Sequence, residues 1–287
     1  MSAETPVALR AAAAQSTPTS RVPRRGLLVA FLAALLAVGS LAAGPAPVSA
    51  AGVKVAIVVG PAGSLTGTYL RAARGYAAQA RSYGATVVEV YTPNATWARV
   101  RSAVQGANLL VLLGHGNGFP NPYNATLTPL KVDGFGLNGS PGSGNVRTTY
   151  FGEYYVRTQV KLAPNAVVIL NHLCYSTGSS EPGNPTPTPT VARQRVDNFT
   201  AGFLRTGAQA VFATLGEASY LIDSLFTSDQ ALLDIFWGAP DRTWAYRISF
   251  PSVRTPGMTA VMDPRAPGTY HRSVVGNLSL TATAWRG

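Results

Sequence analysis

A single cysteine, Cys174, stands in a chain of 287 residues. One thiol excludes an intrachain disulfide framework and any cluster of cysteine metal ligands. Charge is also scarce, with 12% of residues charged against 46% hydrophobic, and that balance excludes a polar, disordered chain. The glycines lack the strict three-residue period that a collagen helix requires. The net charge of +11 would suit an anionic partner such as a cell-wall polymer. The arginines are scattered, however, and form no stripe or basic block, so nucleic acid is not the expected partner. No internal repeat and no convincing linker interrupt the chain.

Long apolar runs are nearly absent too. The exception is Gly26 to Ala43, preceded by Arg21, Arg24 and Arg25 and followed by small residues at Val48 and Ala50. A basic start, an apolar middle and a small-residue exit predict a signal peptide over residues 1–50, cleaved after Ala50. The alternative is an uncleaved anchor, for which the run is of borderline length. Arg24-Arg25 would also suit a twin-arginine signal. Export to the extracellular space or cell envelope is therefore expected, with no stable membrane association after cleavage. Residues 51–287 are expected to form one α/β domain with a C-terminal extension from about residue 241.

After residue 51, near-continuous apolar runs alternate with segments of helical spacing. The runs begin at Val53–Val59 and Ala85–Tyr91 and continue with Asn108–Leu113, Ala166–Leu170 and Ala208–Leu215. Such runs suit strands covered on both faces by helices. Between them, Tyr69, Ala73, Tyr76 and Ala80 recur at helical spacing, and so do Val196, Phe199 and Phe203. Five alternations predict a three-layer sandwich around a mostly parallel sheet. Residues 117–148 read as an elaborated loop and Pro182–Thr190 as a surface loop. In the tail, Trp244–Phe250 and Ser273–Trp285 look strand-like.

In an open parallel sheet, ligands bind beyond the carboxyl ends of the strands. His115 follows the third run and Cys174 the fourth. If those strands are neighbours, their ends lie about 4.8 Å apart. A thiol acts as a nucleophile when a neighbouring imidazole takes its proton or holds it as thiolate. The Gly116 and Cys174 backbone N–H groups are available to stabilise a developing oxyanion. His172 is a rival base or, more simply, a structural histidine bracing the cysteine loop. His115, His172, Cys174 and a carboxylate could instead ligate zinc, although no metal-ligand spacing supports it. Glu153, Glu181, Glu217 and Asp223 could orient His115 or line a specificity pocket, with solvated surface positions as the default. His271 is expected at the surface, and Trp97 and the tyrosines of the first helix in the core.

The segments Leu109–Gly116, ending in His115-Gly116, and Ala166–Cys174 resemble the caspase-like cysteine peptidases, the group of caspases, gingipains, legumains, clostripain and separase. Phe203–Ala213 is similar to the helix–Gly–Ala–strand step that follows the cysteine in related bacterial domains. The resemblance implies a caspase-like fold, His115 as general acid/base and Cys174 as nucleophile. It places the Gly116 and Cys174 amides in the oxyanion hole. It implies a protein or peptide substrate and no required cofactor, although related families sometimes bind calcium; the oligomeric state stays open. On this reading Cys174 is partly thiolate near neutral pH, and residues 117–148 and 176–190 wall the cleft. Leu173, at a position commonly small in those families, and the long insertion before Cys174 motivate a second reading. That reading is a non-catalytic extracellular binding module of the same fold.

Overall fold

The computed structural model describes residues 52–287, and the export segment expected over residues 1–50 lies outside the described residues. β1 (Lys54–Val59) leads through a short 3-10 turn (Gly63–Leu65) into α1 (Thr66–Ser82), followed by β2 (Thr86–Tyr91) and α2 (Trp97–Val104). β3 (Leu109–Leu113) opens into a long excursion containing the small antiparallel pair β4 (Phe135–Leu137) and β5 (Thr149–Phe151). Next come α3 (Glu153–Gln159), β6 (Ala166–Asn171), α4 (Pro189–Leu204) and β7 (Ala208–Thr214). Then α5 (Ser219–Thr227), α6 (Leu232–Gly238), β8 (Ile248–Pro251), β9 (Thr259–Ala266), β10 (Thr269–Gly276) and α7 (Ala282–Arg286) complete the chain.

Eight strands form one sheet in the order β2-β1-β3-β6-β7-β10-β9-β8. The five strands that read as apolar runs are mutually parallel, and the last three extend the sheet by successive antiparallel pairing, β10 on β7, β9 on β10 and β8 on β9. Alternate residues of each central strand enter opposite cores, as the pleat requires. Ile57, Val111, Ile169 and Phe212 face the layer that contains α1, α5, α6 and α7. Val58, Leu112, Val168 and Val211 face α2, α3 and α4 on the other side. The result is the predicted three-layer α/β sandwich. Full burial of each large aliphatic side chain contributes about 1.5–3 kcal/mol.

Helix amphipathicity follows the same logic. In α1, Tyr69, Ala73, Tyr76, Ala77 and Ala80 are buried, while the intervening arginines and Gly75 face solvent. In α4, Pro189 opens the helix where its missing N–H is harmless, and the Thr188 side chain accepts a hydrogen bond from Val191 N–H.

The strands that would carry a reacting pair are neighbours. β3 and β6 run parallel with Leu109 opposite Val167 and Leu113 opposite Asn171, so both chains leave the sheet at one edge. The tail reaches that same edge. β10 is antiparallel to β7 with Arg272 opposite Thr214, so its first residues lie beside the carboxyl end of β7. The strand-like reading of the tail needs correction in detail. Its strands are Ile248–Pro251, Thr259–Ala266 and Thr269–Gly276, and residues 282–286 are helical.

Candidate active site

Past Leu113 the chain turns at Gly114, whose φ of +151° lies in a region that side chains avoid, and this turn delivers His115 to the sheet edge. Gly116 then packs on the cysteine loop. A Cβ at Gly116 would lie 2.0 Å from the carbonyl oxygen of Cys174 and 2.7 Å from its nitrogen. Only glycine lets these two backbones approach so closely. The His115-Gly116 turn and Cys174, far apart in sequence, are thereby held side by side.

The cysteine loop is built by backbone strain and braced by hydrogen bonds. β6 ends at Asn171, and His172 and Tyr175 both adopt positive φ, 61° and 70°. Strand alternation therefore stops before Cys174, and a shared strand face does not relate His172 to the thiol. Asn171 Nδ2 donates to the Gly216 carbonyl at 2.7 Å, and Asn171 Oδ1 accepts from the Tyr76 hydroxyl at 3.1 Å. Ser176 Oγ donates back to the Leu173 carbonyl at 2.8 Å. Toward the tail, Thr177 Oγ1 donates to the Tyr270 carbonyl at 2.9 Å and Ser273 Oγ donates to the Ser176 carbonyl at 3.2 Å. β10 thus supports the loop that carries the thiol.

A cleft of about 690 Å³ opens at this edge, and His115, His172, Cys174, Glu181, Arg265 and His271 all contribute to its lining. Half-buried Cys174 presents its sulfur there as a free thiol. Neither the Gly116 nor the Cys174 amide N–H donates to another residue among the described residues. The Cys174 N–H is within reach of its own sulfur, and amide donors with no other partner are the kind of group that can bind an oxyanion. His172 stacks on Tyr69 with ring centroids 5.1 Å apart and planes 10° from parallel. Tyr69 is therefore a cleft residue as well as a core one.

The electrostatics oppose a resting ion pair. Burial, reinforced by the Glu181 carboxylate, pushes the Cys174 thiol up to about 11. This direction runs against the expected thiolate. Burial also holds the His172 imidazole below its ordinary range, against the pull of Glu217. Burial thus favours the protonated thiol over the thiolate.

Of the remaining candidates, Glu153 is not a solvated carboxylate. It is buried and pairs with Arg205 at 2.8 Å and with Arg254 at 2.6 Å. Glu217 and Asp223 accept hydrogen bonds from Tyr76 and Tyr83. Trp97 packs among Phe135, Phe151 and Tyr155, as a core residue should. His271 is the clearest correction: it is buried on β10, with Nε2 3.1 Å from the Asp241 carbonyl oxygen and Nδ1 unpartnered. Beside it, buried Asp263 accepts from Arg272 Nη1 at 3.2 Å and from the Thr243 and Trp244 amides. A charged, paired strand of this kind defeats an apolar-run search, which is why the tail's part in the site escapes sequence reasoning. Among the described residues, no three His, Cys, Asp or Glu side chains cluster as a metal site would require.

Residues 176–190 wall the large cleft through Ser179, Ser180, Glu181, Asn184 and Thr186. Residues 117–148 rise on the same edge. The Gly136 carbonyl oxygen lies 2.0 Å from where a Cβ on Gly60, just past β1, would sit. They line a second, smaller recess beside Gly116 rather than the large cleft.

No known protein family matches this sequence, and no curated protein does. Among the solved structures that match, two illustrate the distant likeness. One is the separase–securin complex of Saccharomyces cerevisiae, with 18% identity and a TM-score of 0.29. The match covers 61% of this chain, which spans only 9% of that one. The other is a short-chain flavodoxin associated with a non-canonical PDU bacterial microcompartment, with 13% identity and a TM-score of 0.28 over 54% of this chain and 77% of that one. Likenesses this low fix neither the family nor the activity of this chain.

Proposed function

We propose that this chain is an exported cysteine peptidase of caspase-like fold, acting on protein or peptide substrates through Cys174 and His115. The observation that carries the reading is the packing of Gly116 on the Cys174 backbone at the rim of a cleft. It supports the reading by bringing the His115-Gly116 turn and the Cys174 loop side by side at the carboxyl ends of the strands, where ligands bind in α/β sheets. Export rests on the basic, apolar and small-residue pattern over residues 21–50.

In this mechanism a substrate carbonyl enters between the thiol and the two amides. His115 takes the thiol proton as the sulfur attacks the carbonyl carbon, and the C=O π electrons move onto oxygen. The Gly116 and Cys174 N–H groups bind that oxyanion. As the C–N bond breaks, the His115 imidazolium gives its proton to the leaving amine and a thioester remains. Water, deprotonated by His115, attacks the thioester; the C–S bond breaks, the acid departs and the thiol regains its proton. A raised thiol pKa is compatible with this sequence, because proton transfer accompanies attack instead of preceding it.

The same raised pKa favours the second reading, a binding module whose buried thiol is inert. Hydrolysis of an unbiased peptide library separates the two. The peptidase cleaves it, Cys174→Ala abolishes cleavage and His115→Ala reduces it by orders of magnitude. Cleavage that survives Cys174→Ala, or a folded wild-type chain that cleaves no peptide, rejects the peptidase.

A further inference from the structure

Between α6 and β8 a loop, residues 239–247, runs past the first residues of β10 and ends in Trp244-Ala245-Tyr246-Arg247. Trp244 sits at φ +67°, a left-handed conformation that a bulky side chain adopts only against strain. A buried carboxylate holds it there. Asp263 Oδ1 accepts the Trp244 amide at 2.9 Å and Oδ2 the Thr243 amide at 3.0 Å, while Arg272 Nη1 donates to Oδ2 at 3.2 Å. The ring placed in this way stays outside the core, for Trp244 and Tyr246 are each 47% exposed. Trp244 meets Trp237 edge-on with ring centroids 4.5 Å apart, and the Arg247 guanidinium lies over the Trp244 ring, 5.1 Å from its centroid. A fold gains little by straining its backbone to leave half a tryptophan in water, whereas a binding surface gains preorganisation. The charges point the same way. Arg242 and Arg247 are exposed and form no ion pair or side-chain hydrogen bond among the described residues. Asp263 is paired with Arg272, and Asp241 faces Arg272 at 3.5 Å and Arg265 at 3.9 Å, so the outer side of the loop is left positive.

We infer that the Trp244–Arg247 surface docks an acidic segment of a partner protein, one that places an aromatic or leucine side chain beside its carboxylates. Exposed Trp, Tyr and Arg together are the composition of binding hot spots. The positive charge around them selects an acidic partner. A guanidinium stacked on an indole keeps its N–H edges free for a bidentate carboxylate, and the Trp244 and Tyr246 rings cover the apolar side chain. A polysaccharide fits less well, because a sugar stacks on an open ring face and Arg247 already lies over that of Trp244. The inference goes beyond the peptidase reading and needs neither Cys174 nor His115.

The test uses the full chain carrying Cys174→Ala, so that no probe is cleaved, and reads binding by biolayer interferometry. The probes are a random glutamate–tyrosine copolymer, polyglutamate and polygalacturonate. The copolymer binds, and its affinity falls as salt is raised. Trp244→Gly and Arg247→Gln each weaken it by about 10-fold or more, as loss of a hot-spot residue does. Glycine suits the left-handed backbone at residue 244 and Arg247 is exposed, so both variants fold, which circular dichroism checks. A copolymer that does not bind, or whose affinity is unchanged in either folded variant, overturns the inference. Polyglutamate bound as tightly as the copolymer reduces the surface to charge alone and overturns it as well. Polygalacturonate bound more tightly than the copolymer makes the surface a glycan site and overturns the protein partner.

Discussion

Replacing Gly116 with alanine loads a backbone contact that joins the two halves of the proposed site. The added methyl carbon would stand 2.0 Å from the Cys174 carbonyl oxygen, 2.7 Å from its nitrogen and 2.9 Å from its carbonyl carbon. All three are backbone atoms, so no side-chain rotation relieves the clash. Reaching an ordinary contact of about 3.5 Å requires one backbone to retreat by on the order of 1 Å or more. Overpacking of this kind costs about 1–3 kcal/mol. At roughly 2–4 °C per kcal/mol for a domain of this size, Tm falls by about 2–12 °C. The catalytic penalty is larger. Oxyanion donors work within about 2.7–3.1 Å, and losing one costs on the order of 10²–10³ in kcat. Thermal unfolding by circular dichroism and steady-state hydrolysis of a fluorogenic peptide read the two effects separately. A variant with unchanged Tm and unchanged kcat refutes the close packing. A lowered Tm with kcat within a few-fold of wild type refutes the oxyanion role of the Gly116 amide while leaving the packing intact.

Three further outcomes follow from the same structure. Iodoacetamide labelling of Cys174 rises with pH toward a midpoint near 11, and Glu181→Gln moves that midpoint down because the substitution removes a charge that opposes thiolate; a midpoint at or below the free-thiol value of about 8.5 contradicts this. Asp133 is buried, with Oδ1 accepting the Phe119 amide at 2.9 Å and Oδ2 unpartnered, and burial holds its carboxyl well above the ordinary range. The folded chain therefore keeps this proton to higher pH than the unfolded chain, so the group's contribution to stability is lost as pH rises from about 4 toward its folded pKa. The stability of Asp133→Asn relative to wild type should accordingly increase with pH in urea titrations, and a difference that shrinks with pH contradicts the assignment. Gly75 sits on the exposed face of α1 with nothing within 4 Å of the place a methyl group would occupy; Gly75→Ala should stabilise by about 0.5–1 kcal/mol, and a loss of stability in the same titration counts against the helix geometry.

The parallel half of the fold is legible because its strands are covered on both faces. Leu109–Leu113 and Ala166–Leu170 read as apolar runs for the same reason that they are buried. The tail hides its strands by carrying charge inside. β9 contains Asp263 and β10 contains Arg272, buried and paired with each other, and β10 also buries His271, whereas apolar patterning expects such groups at the surface. His115 and Cys174 stand out through chain order and strand context, and neighbouring strands do bring their segments together. The positive φ of His172 and Tyr175 leaves no sequence mark, since neither is glycine. Glu181 lies in a Pro- and Thr-rich loop with no local signal to single it out. Its hydrogen bonds from Tyr123 and Tyr175 form only in three dimensions.

The most direct test of the account is the mass of the trapped intermediate. The full chain is mixed with an activated peptide p-nitrophenyl ester, quenched in acid within milliseconds to seconds and analysed as the intact protein and as its Cys174-containing fragment. The account predicts one acyl adduct per chain, carried on Cys174, formed more slowly in His115→Ala and absent in Cys174→Ala. An adduct on another residue, or turnover of the ester with no Cys174 adduct at any quench time, contradicts it.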